Sequence, residues 1–291
     1  MSDTISIIIP TFNRLHTLRI VLASYLKQQC LHELIIVDDG SSDGTYSYIS
    51  EMARQYPCLR VLRHEANLGL CQSKNDAVEL ATGDYVLIGE DDLYLSDDYA
   101  VTLLRCLREA SADVIAGRIV YSRVGETFDD TMQRCDGYRG PLVNYWLMSI
   151  VYSKRIDDHA EVSHLHAISL MKATVARSIR WDPAFFAREE TDFYLRAARA
   201  GCKIVLCPHT VCVHLPRDKG KGGGWSVGLL RYQYLATKNN NMLIERHYEF
   251  LKQWGMKGNK LTFKVLHLLN RLRIMYLFYR FSTRQNMRSE A

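Results

Sequence analysis

The chain has 291 residues, 47% of them hydrophobic and 24% charged, a balance that excludes global disorder and allows one large core or a catalytic domain plus an extension. Its net charge of +5 is modest, and the basic residues gather mainly after position 214, which suits a local anionic partner and not nucleic-acid binding. The eight cysteines include no C-x-x-C pair, so zinc-site spacing is missing and the scatter reads as reduced thiols in a cytosolic core.

Met1-Ser2-Asp3-Thr4 is polar and the apolar run behind it is short, a pattern without a signal peptide. With no stretch of 18 apolar residues, the reading is a cytoplasmic protein. Ile5 to Ile9, ended by Pro10, is a β-branched run that predicts a buried strand. Leu15, Leu18, Leu22 and Leu26 follow at helical spacing. Glu33 to Val37 predicts a second strand, and the turn-rich segment Asp38 to Gly44 leads into a helix near Thr45 to Gln55. A third strand is read at Leu59 to Leu62, a helix at Gln72 to Leu80, and a fourth strand at Tyr85 to Ile88 with Glu90-Asp91-Asp92 at its end. Ser96-Asp97-Asp98 is expected to cap another helix, before a fifth strand at Asp113 to Gly117.

Such alternation predicts a parallel sheet with helices on both faces, which binds ligands at the carboxyl ends of its strands. Four polar clusters fall on that rim: Thr11-Phe12-Asn13, Asp38-Asp39, Asn67-Leu68-Gly69 and Asp91-Asp92. Residues 119–165 carry no clear pattern. Helical periodicity returns at Glu189 to Ala200, then a strand at Lys203 to Leu206, a glycine-rich basic loop at 219–224, and helices at about 226–253 and 260–281.

Paired carboxylates at the end of a buried strand need a cation or solvent to compensate them. A divalent ion that also grips a diphosphate would do so at Asp91-Asp92; a solvated loop ahead of the Ser96 cap is the plainer alternative. A phospho-receiver domain also carries an acidic pair but would leave most of the chain unexplained. The absence of G-x-G-x-x-G after the first strand argues against a nicotinamide or flavin enzyme, and Gly220 to Gly224 lacks the ending of a P-loop. Pro10 to Arg14 contains no glycine, which disfavours a nucleotidyltransferase.

Ser6 to Arg14, Ile36 to Thr45, Asn67 to Asn75, Ala81 to Asp92 and Trp181 to Asp192 form five ordered blocks. Together they resemble the motifs of family 2 glycosyltransferases over roughly residues 4–240. The resemblance implies a GT-A fold: a Rossmann-like, mostly parallel sheet flanked by helices, here with a helical C-terminal extension. The catalytic domain is expected over 1–240, with a nucleotide-sugar half at about 1–118 and an acceptor half at about 119–240; the basic extension spans 241–291. The implied reaction is inverting transfer from a nucleoside-diphosphate sugar to an acceptor hydroxyl, a glycan or lipid-linked acceptor of cell-surface polysaccharide or glycolipid synthesis.

Under that resemblance Pro10, Thr11, Asn13, Arg14, Asp39, Asn67, Gly69, Lys74 and Asp91 would bind the donor, with Asp39 facing the base. Asp92 and His214 would hold Mn²⁺ or Mg²⁺, and Glu190 would be the catalytic base. Three positions depart from the family pattern. Gly89 stands for the first acid of the D-x-D motif, Lys74 for an arginine, and Glu190 for the commoner aspartate. On a helix, residues 190 and 192 point about 200° apart, so the acidic run supplies one base only. Arg217 to Lys221 reads either as a cationic lid or as a solvated loop, and His164 and His166 fall in the acceptor half. In the last helix Leu261, Val265, Leu268, Leu272, Met275 and Tyr279 form an apolar stripe flanked by basic residues. That stripe either packs on the domain or a partner, or lies peripherally on the inner face of the cell membrane.

Overall fold

The computed structural model describes residues 3–123, 125–134, 140–165, 168–215 and 227–289, with side chains described as far as residue 276. In chain order its elements are β1 (Ile5–Thr11), α1 (Leu15–Leu26), β2 (Leu31–Asp38), α2 (Thr45–Gln55), β3 (Leu59–Arg63), α3 (Leu70–Leu80), β4 (Tyr85–Ile88), β5 (Leu93–Leu95), α4 (Tyr99–Glu109) and β6 (Val114–Tyr121). There follow α5 (Phe128–Gln133), β7 (Val143–Asn144), β8 (Ser149–Ile150), β9 (Ala160–Glu161), β10 (Ser169–Lys172), α6 (Ala173–Ile179), α7 (Glu189–Arg199), β11 (Ile204–His214), α8 (Leu229–Gln253) and α9 (Lys260–Ser289).

The isoleucine run makes β1 the centre of the sheet. All seven of its residues are buried, and it pairs in parallel with β2 on one side and β4 on the other. Each isoleucine buried there contributes roughly 1.5–3 kcal/mol. Pro10 is tolerated because its missing N–H would point toward β4, which has already left the ladder: the last bond on that side runs from the Gly89 N–H to the Ile8 carbonyl at 2.8 Å. Asp43 then secures two helix starts, its Oδ2 accepting from the Leu15 N–H and its Oδ1 from the Thr45 N–H, each at 3.0 Å.

The strand order is β3-β2-β1-β4-β10-β6-β11-β5, with β9 also pairing β11. This refines the parallel expectation. The fifth predicted strand, β6, does not adjoin β4, because β10 lies between them and runs antiparallel to both. The strand predicted at Lys203 to Leu206 continues to His214 through an irregularity between Leu206 and Val211. The predicted extension has no break at residue 240, since α8 runs from Leu229 to Gln253. It is bound to α7 by Asp192, whose buried carboxylate accepts from Arg196, Arg246 and His247 at 2.7–2.9 Å. A second apolar cluster joins Met148, Phe185 and Leu195 to Leu243, Leu251 and Phe263, so both C-terminal helices pack against these residues of the catalytic domain's second half.

Candidate active site

The carboxyl ends of β1, β2 and β4 and the start of α7 enclose a cleft of about 720 Å³, a volume in the range of small-molecule sites. Pro10, Thr11, Arg14, Asp39, Asn67, Gly69, Lys74, Asp91, Asp92 and Glu190 all line it. Asn13 does not line it. Instead its N–H donates to Ser41 Oγ and its Oδ1 accepts from the Ser42 N–H, both at 2.8 Å, tying the loop after β1 to the loop after β2.

Asp39 is spent locally. Its Oδ1 accepts from the Leu68 N–H at 2.8 Å and pairs with His64 Nδ1 at 2.7 Å, while Oδ2 accepts from the Gly69 N–H at 2.9 Å. The carboxylate thereby shapes the Asn67–Gly69 wall of the cleft. The other ring nitrogen of His64 meets Asp76 at 3.1 Å.

The acidic end of the cleft is built around Gly89. A side chain there would collide with Tyr25 and Ile9, whose atoms lie 2.9 and 3.0 Å from an added Cβ. The space is filled by Tyr25, whose hydroxyl donates to the Glu90 carbonyl at 2.9 Å and accepts from the Glu90 N–H at 3.1 Å. So held, Glu90 joins Asp92 and His214 in a cluster whose potential ligand atoms all lie within 4.8 Å of one another. His214 Nδ1 faces the Leu215 carbonyl at 2.8 Å. A carbonyl only accepts, so Nδ1 carries a proton, leaving Nε2, 3.9 Å from Asp92 Oδ1, as the ring nitrogen on the side of the carboxylates. Two carboxylates and one such imidazole are a donor set suited to Mn²⁺ or Mg²⁺.

Asp91 points elsewhere, accepting from the Thr11 hydroxyl at 2.8 Å. Burial raises its carboxyl to about 7, against the pull of Arg14. Burial also pushes Glu90 well above the usual carboxylate range, and Glu190 and Asp92 add to the effect. Arg14 Nη1 reaches Asp92 Oδ2 at 3.3 Å. At the opposite wall Lys74 is 1% exposed and donates to Glu190 Oε1 at 2.7 Å, with Glu189 Oε1 at 3.7 Å. Six carboxylates of the lining (Asp39, Glu90, Asp91, Asp92, Glu189 and Glu190) thus face two cations, Lys74 and Arg14. That imbalance in a partly buried cleft favours a divalent cation.

The family model for glycosyl transferase family 2 matches residues 6–172. The chain belongs to this family. GlyG, a glycosyltransferase of Streptococcus pneumoniae, is 33% identical over 118 residues, 40% of this chain and 39% of that protein. A poly(ribitol-phosphate) beta-glucosyltransferase of Bacillus spizizenii is 27% identical over 119 residues, covering 40% of this chain and 19% of the relative. The matched segments therefore span less than half of either relative. The crystal structure of S. aureus TarS 1-349 in complex with UDP-GlcNAc aligns with a TM-score of 0.58 at 18% identity, over 83% of this chain and 66% of that one. At that identity the likeness establishes the GT-A fold.

In this family 2 chain the reading from sequence missed Glu90 as a partner of Asp92 and His214, although its spacing from Asp92 was visible. It also missed His64, which sits just after β3 on the rim where ligand-side residues were expected. His164 is buried and hydrogen-bonded to Ser163 through Nδ1 at 2.8 Å, and it does not line the cleft. His166 and the Arg217–Lys221 stretch lie outside the described residues.

Proposed function

We propose that the chain is an inverting glycosyltransferase that moves a hexose-like sugar from a nucleoside-diphosphate sugar to an acceptor hydroxyl. The reading is carried by one observation: Glu190, from the acceptor half, faces into the same cleft as the acidic cluster of the nucleotide half. Glu190 Oε1 is held by Lys74, so the second carboxylate oxygen would receive the acceptor proton. As that proton leaves, the acceptor oxygen attacks the anomeric carbon and the bond to the diphosphate breaks on the opposite face, inverting the centre. Arg14 would meet the departing diphosphate, and the Asn67–Gly69 wall held by Asp39 would bound the nucleoside. A divalent cation held by Glu90, Asp92 and His214 Nε2 would supply positive charge for the leaving diphosphate.

The solved TarS complexes contain UDP-GlcNAc and UDP, which supports UDP-sugars as the first donors to examine. The poly(ribitol-phosphate) beta-glucosyltransferase among the relatives supports a cell-surface glycan as acceptor.

The described residues contain no helix long and apolar enough to cross a membrane. In α9, Phe263 and His267 are buried, while Leu261, Val265, Leu268, Leu269 and Leu272 are 46–69% exposed. That outward apolar stripe beside lysines and arginines supports peripheral attachment to an anionic membrane surface, with the protein on the cytoplasmic side. A donor panel read by thermal shift, with and without Mn²⁺, tests the donor assignment. Stabilisation by one sugar nucleotide that depends on Mn²⁺ is expected; a folded protein stabilised by none would refute it.

A further inference from the structure

The eight cysteines have no metal-site spacing along the chain, yet the fold brings two of them together. Cys106, in the last turn of α4, and Cys207, in β11, are 101 positions apart, and their sulfurs lie 2.8 Å from each other. Both side chains are fully buried. His159 closes the group, its ligand atom and the two sulfurs all lying within 4.8 Å of one another.

Several features make this more than a pair of packed thiols. His159 Nε2 is shielded from solvent and has no hydrogen-bond partner among the described residues, a costly state for a ring nitrogen. Its Nδ1 lies 3.4 Å from the exposed Asp158 carboxylate, whose Oδ1 accepts from the His159 backbone N–H at 2.7 Å. The His209 N–H donates to Cys207 Sγ at 3.4 Å, as a backbone amide does toward a thiolate. The His209 ring stands 5.6 Å from the His159 ring and nearly perpendicular to it, at 80°. Two imidazoles bound to one tetrahedral ion have ring centres about 5 Å apart, so a turn of the exposed His209 ring, whose nitrogens lie outside the three-residue group, would complete a four-ligand set. All of this surrounds the irregularity between Leu206 and Val211, where β11 leaves its register with β6. On its other edge β11 pairs with β9 at Val205 and Leu206, and with β5 from Cys212 onward. The Cys-Pro-His-Thr segment lies between those two pairings.

We propose that Cys106, Cys207 and His159 hold a structural Zn²⁺ ion at a site separate from the donor cleft, with the His209 ring turning in as the fourth ligand. Cys207 is seven residues from His214 along β11, on the order of 20 Å. Binding replaces one proton on each thiol, so two protons leave for each Zn²⁺ taken up. The sulfurs then separate by about 1 Å to reach tetrahedral spacing. The bound ion would join α4, the segment before β9 and the irregular part of β11, bracing the strand that ends at His214.

Cobalt substitution of the reduced full chain tests this directly. One equivalent of Co²⁺ should give the ultraviolet thiolate-to-cobalt charge-transfer absorption and the visible bands of a tetrahedral site. The acidic cluster of the donor cleft cannot produce that absorption, because Glu90, Asp92 and His214 contain no sulfur, and Cys71, the cysteine lining that cleft, is unchanged in the Cys106 and Cys207 variants. Zn²⁺ should displace the Co²⁺ and bleach the spectrum. The charge transfer should be weakened in Cys106→Ser and Cys207→Ser, and His159→Ala, at a partly exposed position, should lower Zn²⁺ affinity at least about tenfold. His159→Ala also serves where a buried cysteine variant fails to fold. The proposal is overturned if folded, reduced protein shows no charge-transfer absorption, or if affinity is unchanged in His159→Ala. Isolation of the protein with Cys106 and Cys207 joined in a disulfide that Zn²⁺ and reductant together do not replace also overturns it.

Discussion

Glu190→Gln separates the roles of the two walls of the cleft. In the native cleft the Lys74 ammonium lies 2.7 Å from Glu190 and 3.7 Å from Glu189. Glutamine preserves the volume and leaves Lys74 an amide oxygen, but it cannot take a proton. Loss of a positioned general base lowers kcat by about 10²–10⁴, or roughly 3–5 kcal/mol of barrier. The fold should suffer less, because Lys74 keeps Glu189; roughly 1–2 kcal/mol is expected, a fall of several degrees in Tm. Affinity for the nucleoside diphosphate should change less than kcat, since Glu190 bonds Lys74 and acts on the acidic cluster through charge repulsion with Glu90. Steady-state release of the nucleoside diphosphate, with calorimetric titration of the same nucleotide, reads both quantities. A folded variant whose kcat stays within a factor of about three of wild type would refute the assignment of Glu190 as base.

Other changes address separate parts of the account. Glu90→Gln, Asp92→Asn and His214→Ala should each raise the Mn²⁺ concentration needed for half-maximal activity by about 10–100-fold; identical metal activation curves would exclude them as ligands. Glu33 is held at about 2, from an ordinary 4.5, because hydrogen bonds from Thr82, Arg60 and Ser6 outweigh the effect of burial. Its contribution is therefore complete above pH 4.5 and disappears as the pH falls toward 2. Glu33→Gln should cost roughly 2 kcal/mol at pH 7 and progressively less in acid; a Tm difference constant from pH 7 to pH 3 would contradict this. In α9, replacing exposed Leu261, Leu268 and Leu272 together by serine should abolish sedimentation with anionic vesicles without changing the melting temperature. Unchanged vesicle binding would remove that stripe from the account.

The first 118 residues were largely legible in the sequence because their signals are local. The apolar runs of β1, β2 and β4, the turn after β2 and the acids after β4 each declare themselves within about ten residues. What stayed hidden depends on pairing across long separations. β10 is only four residues long, and nothing in its sequence says that it enters antiparallel between β4 and β6. The pairing of Lys74 with Glu190 spans 116 positions. Lys74, predicted from sequence as a donor-binding residue, holds the proposed base in the structure. Gly89 looked like a missing acid, whereas its environment shows a position with no room for a side chain beside Tyr25, and Glu90 brings a carboxylate to the cluster instead. Asp39 was recognised, but not its binding to the Asn67–Gly69 loop, because backbone N–H partners leave no mark in sequence.

The most direct test of the central claim is turnover of a panel of nucleoside-diphosphate sugars by the purified chain with Mn²⁺ and a polyol-phosphate or glycan acceptor, with the product's anomeric configuration read by NMR. At least one donor should be consumed only when Mn²⁺ or Mg²⁺ is present, and the new glycosidic bond should have the configuration opposite to the donor's. Transfer with retained configuration, or a folded protein that neither binds nor cleaves any donor, would contradict it.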